Sequence, residues 1–280
     1  MNRMPMMPTS GASRLLQTHS WIFSPCGALL VTSLISLLCL GNTRAQTIEP
    51  GDIAPFEVVY EVGNHLITAG TAKLTLSRQD DLWSYSLNTT PRGLIKLAGK
   101  GKIDELSTIR FEESDGKLLL QPQTYRFRQD DERRRAVDAT FDWENNNVTH
   151  VYRGEETVES FDAPVVDRLS ATLLMMNALR REFQSTELQV FDTGRIKAVL
   201  FTNTGTETLK TPLGQIDTIR VTNENAQGGS RQTTTWFAPS LDYVPVKIEH
   251  RKRGELVARL TLKRLENRVQ SLEMQMDTGK

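Results

Sequence analysis

Cysteine is nearly missing from this 280-residue chain, which has two, Cys26 and Cys39. Both lie in the first 45 residues, so the remainder can form no disulfide, offer no thiolate nucleophile and bind no metal through sulfur. Acidic residues are missing before Glu49. Arg3 and Arg14 there precede an apolar core, Ala28–Leu40, then Gly41-Asn42 and the small residues Thr43 and Ala45 around Arg44. That is the pattern of a secretory signal peptide, with cleavage expected after Ala45. The core is short for a membrane span, because Pro25 and Gly27 separate it from Trp21-Ile22-Phe23. Leu38 precedes Cys39 where a lipid-attachment motif wants a small residue. The chain is therefore expected to be exported to the periplasm with no stable membrane anchor after cleavage.

A dominant charge of one sign is also missing. Removing residues 1–45 takes away three arginines and no acid, leaving 31 basic against 34 acidic residues, well mixed along the sequence. Such a balance gives no electrostatic footprint for nucleic acid. No P-loop, dinucleotide fingerprint or G-x-S-x-G elbow is present. His65, His150 and His250 stand alone, at no metal-pair spacing. No catalytic residue, metal ligand or cofactor site is expected, and the chain reads as non-enzymatic. Asn88-Thr89-Thr90 and Asn147-Val148-Thr149 match the glycosylation pattern, relevant in a host that glycosylates exported proteins.

What the sequence does have is alternation. Phe56, Val58, Tyr60 and Val62 share one face of a predicted strand, and Leu66–Leu76 returns from Gly63-Asn64-His65 to complete a hairpin. Trp83, Tyr85 and Leu87 alternate next. Thr90–Gly93 leads into an apolar patch, Leu94–Ala98. Strands are predicted over Lys102–Phe111 and Leu118–Arg128, where Pro122 argues for an edge or a kink. Others follow over Ala136–Trp143, Val148–Arg153, Thr157–Phe161, Glu187–Phe191, Arg195–Thr202 and Glu207–Lys210, the last two separated by a turn at Asn203-Thr204-Gly205. One amphipathic helix is expected over Asp167–Phe183: Leu169, Leu173, Met176, Leu179 and Phe183 recur at helical spacing, Asp167 suits the N-cap, and Arg180-Arg181 suit the last turn. Thr211–Arg264 reads as a four-stranded meander closing the chain. The predicted fold class is mainly β: a curved antiparallel sheet or incomplete β-barrel with one amphipathic helix, in a single domain over 46–265 followed by a polar tail over 266–280.

Several short pieces resemble, in their order, the exported bacterial family called domain of unknown function 3108. They are Phe56–Tyr60, Gly101–Ser107 (GKIDELS), Pro122–Tyr125 (PQTY), Phe141–Trp143 (FDW), Asp167–Ser170 (DRLS), Thr211–Gly214 (TPLG) and Trp236–Pro239 (WFAP) before Val244-Pro245-Val246. The resemblance implies no activity and no catalytic residues. The WFAP ending is remotely similar to the closing strands of periplasmic lipoprotein carriers, half-barrels that hold acyl chains. Two readings follow. In the first, the half-barrel binds an apolar ligand, a lipid or a lipidated partner, in a cavity lined by Tyr60, Trp83, Tyr85, Phe141, Trp143, Trp236 and Phe237. In the second, the interior is filled and the protein is a structural or partner-binding element of the cell envelope, recognising its partner through a sheet edge or the Leu94–Ala98 patch.

Overall fold

The computed structural model describes residues 47–48, 54–64, 66–93, 102–114, 117–130 and 135–267. His65 and the Leu94–Ala98 patch lie outside the described residues. The strands are β1 (Thr47–Ile48), β2 (Phe56–Gly63), β3 (Thr68–Gln79), β4 (Leu82–Pro91), β5 (Ile103–Ser114), β6 (Lys117–Gln129), β7 (Val137–Asp142), β8 (Asn147–Tyr152), β9 (Glu155–Ser160) and β10 (Val165–Asp167). After helix α1 (Ser170–Ala178) come β11 (Ser185–Phe191), β12 (Ile196–Thr211), β13 (Gly214–Asn225), β14 (Arg231–Ala238), β15 (Val244–Lys252) and β16 (Glu255–Asn267). They form one open, curved sheet in the order β10 to β16 and then β2 to β9, with β1 paired off this path to β6. Among the described residues, β10–β11 is the one parallel pair. β2 therefore pairs with the last strand of the chain: Phe56 sits opposite Asn267 and Tyr60 opposite Leu262.

The concave face can be followed in one register row. Phe56, Leu76, Tyr85, Ser107, Tyr125, Ala139 and His150 are successive partners across β2 to β8. All seven are buried. Their strand neighbours point to the other face, which is the period-two alternation expressed in three dimensions. The larger core joins this wall to the inner face of β11–β16 through α1, with Leu173, Leu174 and Met175 among its members. A smaller core of Tyr125, Val137, Ala139, Phe141, Val148, Phe161, Val165 and Phe191 sits under β6–β8.

The two ends of the sheet approach each other without a shared hydrogen-bond ladder. Phe191 of β11 meets Tyr125, Phe141 and His150 edge-on, at ring-centre distances of 6.1, 5.8 and 5.1 Å. The backbone N–H of Ile196 donates to the Glu159 carboxylate of β9 at 3.1 Å. Gly194, at φ +74°, turns so close to Tyr152 that a Cβ there would lie 2.7 Å from the ring. The barrel is therefore incomplete, as the sequence predicts, and its seam is held by side chains.

Three sequence expectations need correction. The α-helix is nine residues, Ser170–Ala178, continued by a 3-10 turn over Leu179–Arg181, so Arg180 and Arg181 lie beyond its last α-helical turn. Seven of those nine residues are buried, because the helix is enclosed on several sides and not laid along one. The N-cap residue is Leu169, with no side-chain cap bond of its own; Asp167 ends β10 two residues earlier, and from there its Oδ1 accepts the backbone N–H groups of Leu169 and Ser170 at 2.8 and 3.0 Å. Second, of the two alternatives at Pro122 the kink is found and the edge strand is not: β6 pairs with β5 and, from Thr124 to Phe127, with β7, and a register shift beside Pro122 leaves Gln123 as the extra residue. Third, no turn interrupts β12; Asn203–Gly205 forms a bulge within it, with Asn203 Oδ1 accepting the N–H of Gly205 at 2.9 Å.

Candidate functional site

The polar groups of the concave face gather where β10 turns into α1. Glu105 points inward from β5 and is only 2% exposed. Its Oε1 accepts the Tyr125 hydroxyl at 2.6 Å and Arg168 Nε at 2.9 Å, and its Oε2 accepts Arg168 Nη2. One residue earlier, Asp167 accepts the Ser107 hydroxyl at 2.5 Å. Two consecutive residues of the turn thus clasp two inward residues of one strand. The Arg168 guanidinium also lies 5.2 Å from the ring centre of Phe127, a cation–π contact.

Asp192 completes the turn's surroundings. Phe191 is the parallel partner of Asp167, which brings the following residues, Asp192 and Arg168, side by side. Burial pushes the Asp192 carboxyl up, but Arg168 and Lys197 more than offset this and hold it below the usual range. Lys197 Nζ donates to Asp192 at 2.9 Å. Asp167, fully enclosed, is raised by burial, partly countered by its bonds from Ser107 and Ser170. On the opposite wall, His250 of β15 pairs through Nδ1 with the Thr233 hydroxyl at 2.9 Å. The enclosing walls, and then the charge of Arg168, push its imidazole below its ordinary value, against the water that this exposed side chain still meets. Arg168 keeps 46% of its side-chain exposure, and His250 is exposed as well. Both therefore meet water.

That geometry gives a signed pH prediction. The folded-state pKa of His250 lies below its ordinary 6.5, so the folded protein resists the proton that the unfolded chain takes up. Stability is retained above about 6.5 and is lost as pH falls toward 4. Urea midpoints measured across this window should fall more steeply for the natural sequence than for His250→Gln. Parallel slopes would show that the imidazole does not carry the effect.

The carboxylates of Glu105, Asp167 and Asp192 each accept hydrogen bonds from partners in the protein. Among the described residues, no group of three or more His, Cys, Asp or Glu side chains is placed to hold a metal ion. His150, which sequence spacing leaves isolated, is buried with no hydrogen-bond partner at Nδ1. The Tyr85 hydroxyl is likewise buried without a protein partner, and burial followed by the charge of Glu105 raises its pKa. Sites of this kind take a buried water.

The seven aromatic candidates divide between the two cores. Tyr60, Trp83, Tyr85, Trp236 and Phe237 belong to the larger, and Phe141 to the smaller, with Trp143 packed against it. Three of them donate to the fold: Tyr60 to the Pro245 carbonyl at 2.8 Å, Trp143 to that of Pro122 at 2.7 Å, and Trp236 to Glu207 at 2.8 Å. An open groove of about 260 Å³ between β12 and β15–β16 has Leu209, Val246, Lys247 and Arg259 among its walls and none of these aromatics. Periodicity alone does not find Glu105, Tyr125, Arg168, Asp192 or His250. Three of the quoted pieces do contain the first three, GKIDELS, PQTY and DRLS, and the fold brings these pieces into contact.

Comparison with known proteins places the chain in a family. Residues 56–261 match the model of the protein family of unknown function DUF3108, and the chain belongs to that family. Among curated proteins, none matches the sequence. Among solved structures it is similar to a beta-barrel-like protein of domain of unknown function DUF1849 from Brucella abortus, at 10% identity. The likeness has a TM-score of 0.52 and covers 76% of this chain and 97% of the other. At that identity the likeness concerns fold alone.

Proposed function

We propose that this member of the DUF3108 family works in the periplasm as a non-enzymatic, partner-binding protein of the cell envelope, with a filled interior. The observation that carries this reading is the burial of α1: seven of its nine residues occupy the concavity where an apolar ligand would otherwise lie. Tyr60, Trp83, Tyr85, Trp236 and Phe237, which would line such a cavity, share one core with the helix, with Tyr85 and Trp83 edge-on to Phe56 and Phe111. What stays open to water is the charged mouth beside Arg168, so recognition is assigned there and not to the apolar depth. Export rests on the leader pattern ending at Ala45.

The first reading, an acyl chain or lipidated partner held in the half-barrel, requires α1 to leave its place. Native mass spectrometry of protein purified from the periplasmic fraction separates the two. The expected species has the mass of residues 46–280 alone. A co-purifying lipid, present in stoichiometric amount and lost on organic extraction, would overturn the filled interior; retention of the leader in the measured mass would overturn export with cleavage.

A further inference from the structure

We propose that Arg168 is an anion-receiving residue whose outward guanidinium edge binds the carboxylate of a small monoanionic ligand at the mouth of the half-barrel. This rests on the reading above, in which the mouth is the recognition site, and adds the chemistry of what is recognised.

The argument begins with the donors of one side chain. A guanidinium carries five N–H groups in a rigid plane. Glu105 takes Nε–H and one N–H of Nη2, both on the same side of that plane's outline. Nη1 and the second hydrogen of Nη2 then form a fork directed away from Glu105, and nearly half of the side chain reaches water. The orientation of the fork is fixed. Glu105 is buried and held by Tyr125, Phe127 lies against the guanidinium, and the backbone of the preceding residue is locked by the Asp167–Ser170 cap. A pre-aligned, water-accessible fork is the geometry that binds a carboxylate bidentately, and its ordering cost has already been met in the free protein.

The neighbouring charges choose among anions. Glu105 and Asp192 flank Arg168, so a second negative charge on the ligand would meet repulsion from both. A phosphate dianion is therefore disfavoured against a carboxylate. Arg231, exposed at the start of β14, has a charge that reaches Asp192 and so supports a single incoming negative charge from the facing wall. His250, uncharged at neutral pH, leaves the wall polar without adding a positive charge there.

The experiment follows the Arg168 Nε–H resonance of the purified protein during titration with propionate, propionamide and inorganic phosphate at pH 7.5 and low salt. Expected is a saturating shift with propionate, none with propionamide, and a weaker response to phosphate. Arg168→Lys, which keeps the charge and loses the fork, should weaken propionate binding by about tenfold, followed by calorimetry, as expected for one charge-assisted hydrogen bond. A linear response to propionate, or one matched by propionamide, would overturn the assignment, as would undiminished binding in a folded Arg168→Lys protein. If that variant fails to fold, Arg231→Gln takes its place; a loss of about threefold is expected from a single screened charge, and unchanged affinity counts against the proposal. Its failure is distinct from that of the functional reading, which turns on co-purifying lipid.

Discussion

Arg168→Met is expected to lower the stability of the folded chain by about 3 kcal/mol, the lower end of the range for stranding one partner of a buried ion pair. The partners are unequal, and the inequality is the test. Glu105 is 2% exposed at its side chain and Arg168 is 46% exposed. Without Arg168, Glu105 is left as a buried carboxylate with the Tyr125 hydroxyl as its remaining side-chain donor, and Asp192 loses the cation beside it. Without the charge on Glu105, in Glu105→Gln, the guanidinium still has water, and Tyr125 still has an amide oxygen to donate to. That change should cost about 1 kcal/mol, the scale of one net hydrogen bond. The double variant should recover most of the loss from Arg168→Met, because the buried charge has been removed along with its partner. Urea denaturation of the four proteins measures all three quantities. Equal costs for the two single changes, or a double variant no better than Arg168→Met, would show that water reaches Glu105 as freely as it reaches Arg168.

Much of this architecture is legible in the residues because its grammar is local. Alternation at period two marks the β2–β3 hairpin and the β13–β16 meander, and a strand's inward face is the same whether it is read from Phe56, Val58 and Tyr60 or from coordinates. What local grammar cannot supply is distance along the chain. Glu105 and Arg168 are 63 residues apart, and Ser107 and Asp167 are 60. Each looks like an ordinary polar residue until the sheet curls and sets the start of α1 against β5. Asp167 shows the difference well: its capping role follows from the residues after it, whereas its bond from Ser107 follows only from the curl. Asn203–Gly205, and the edge alternative at Pro122, are misread for a related reason. Both are breaker signals in isolation, and a bulge within a long strand accommodates each without ending it. The family pieces GKIDELS, PQTY and DRLS carry the site residues, and nothing in their spacing says that they meet.

Phe191→Ala should be the most damaging apolar truncation near the seam, costing about 3–5 kcal/mol. The side chain is completely buried, and it touches three strands that do not neighbour its own: Tyr125 on β6, Phe141 on β7 and His150 on β8. A closed barrel would share that load with a continuous ladder of backbone hydrogen bonds. Here β9 and β10 are the two ends of the sheet, and the overlap of β11 on β6–β8 depends on packing in the smaller core. Removal of the ring therefore leaves a cavity at the centre of the overlap between the two ends, with no adjacent ladder to draw it shut. The loss should also be uneven. Hydrogen exchange is expected to accelerate first in the β7–β9 amides, while β2–β4 and β13–β16, anchored in the larger core, keep their protection. Phe191→Leu, which retains most of the volume, should show the same pattern at smaller amplitude, about 1 kcal/mol. If Phe191→Ala instead raised exchange uniformly over every strand, the seam would be part of one cooperative unit, and a barrel-like closure through the backbone would describe the protein better than an overlap held by side chains.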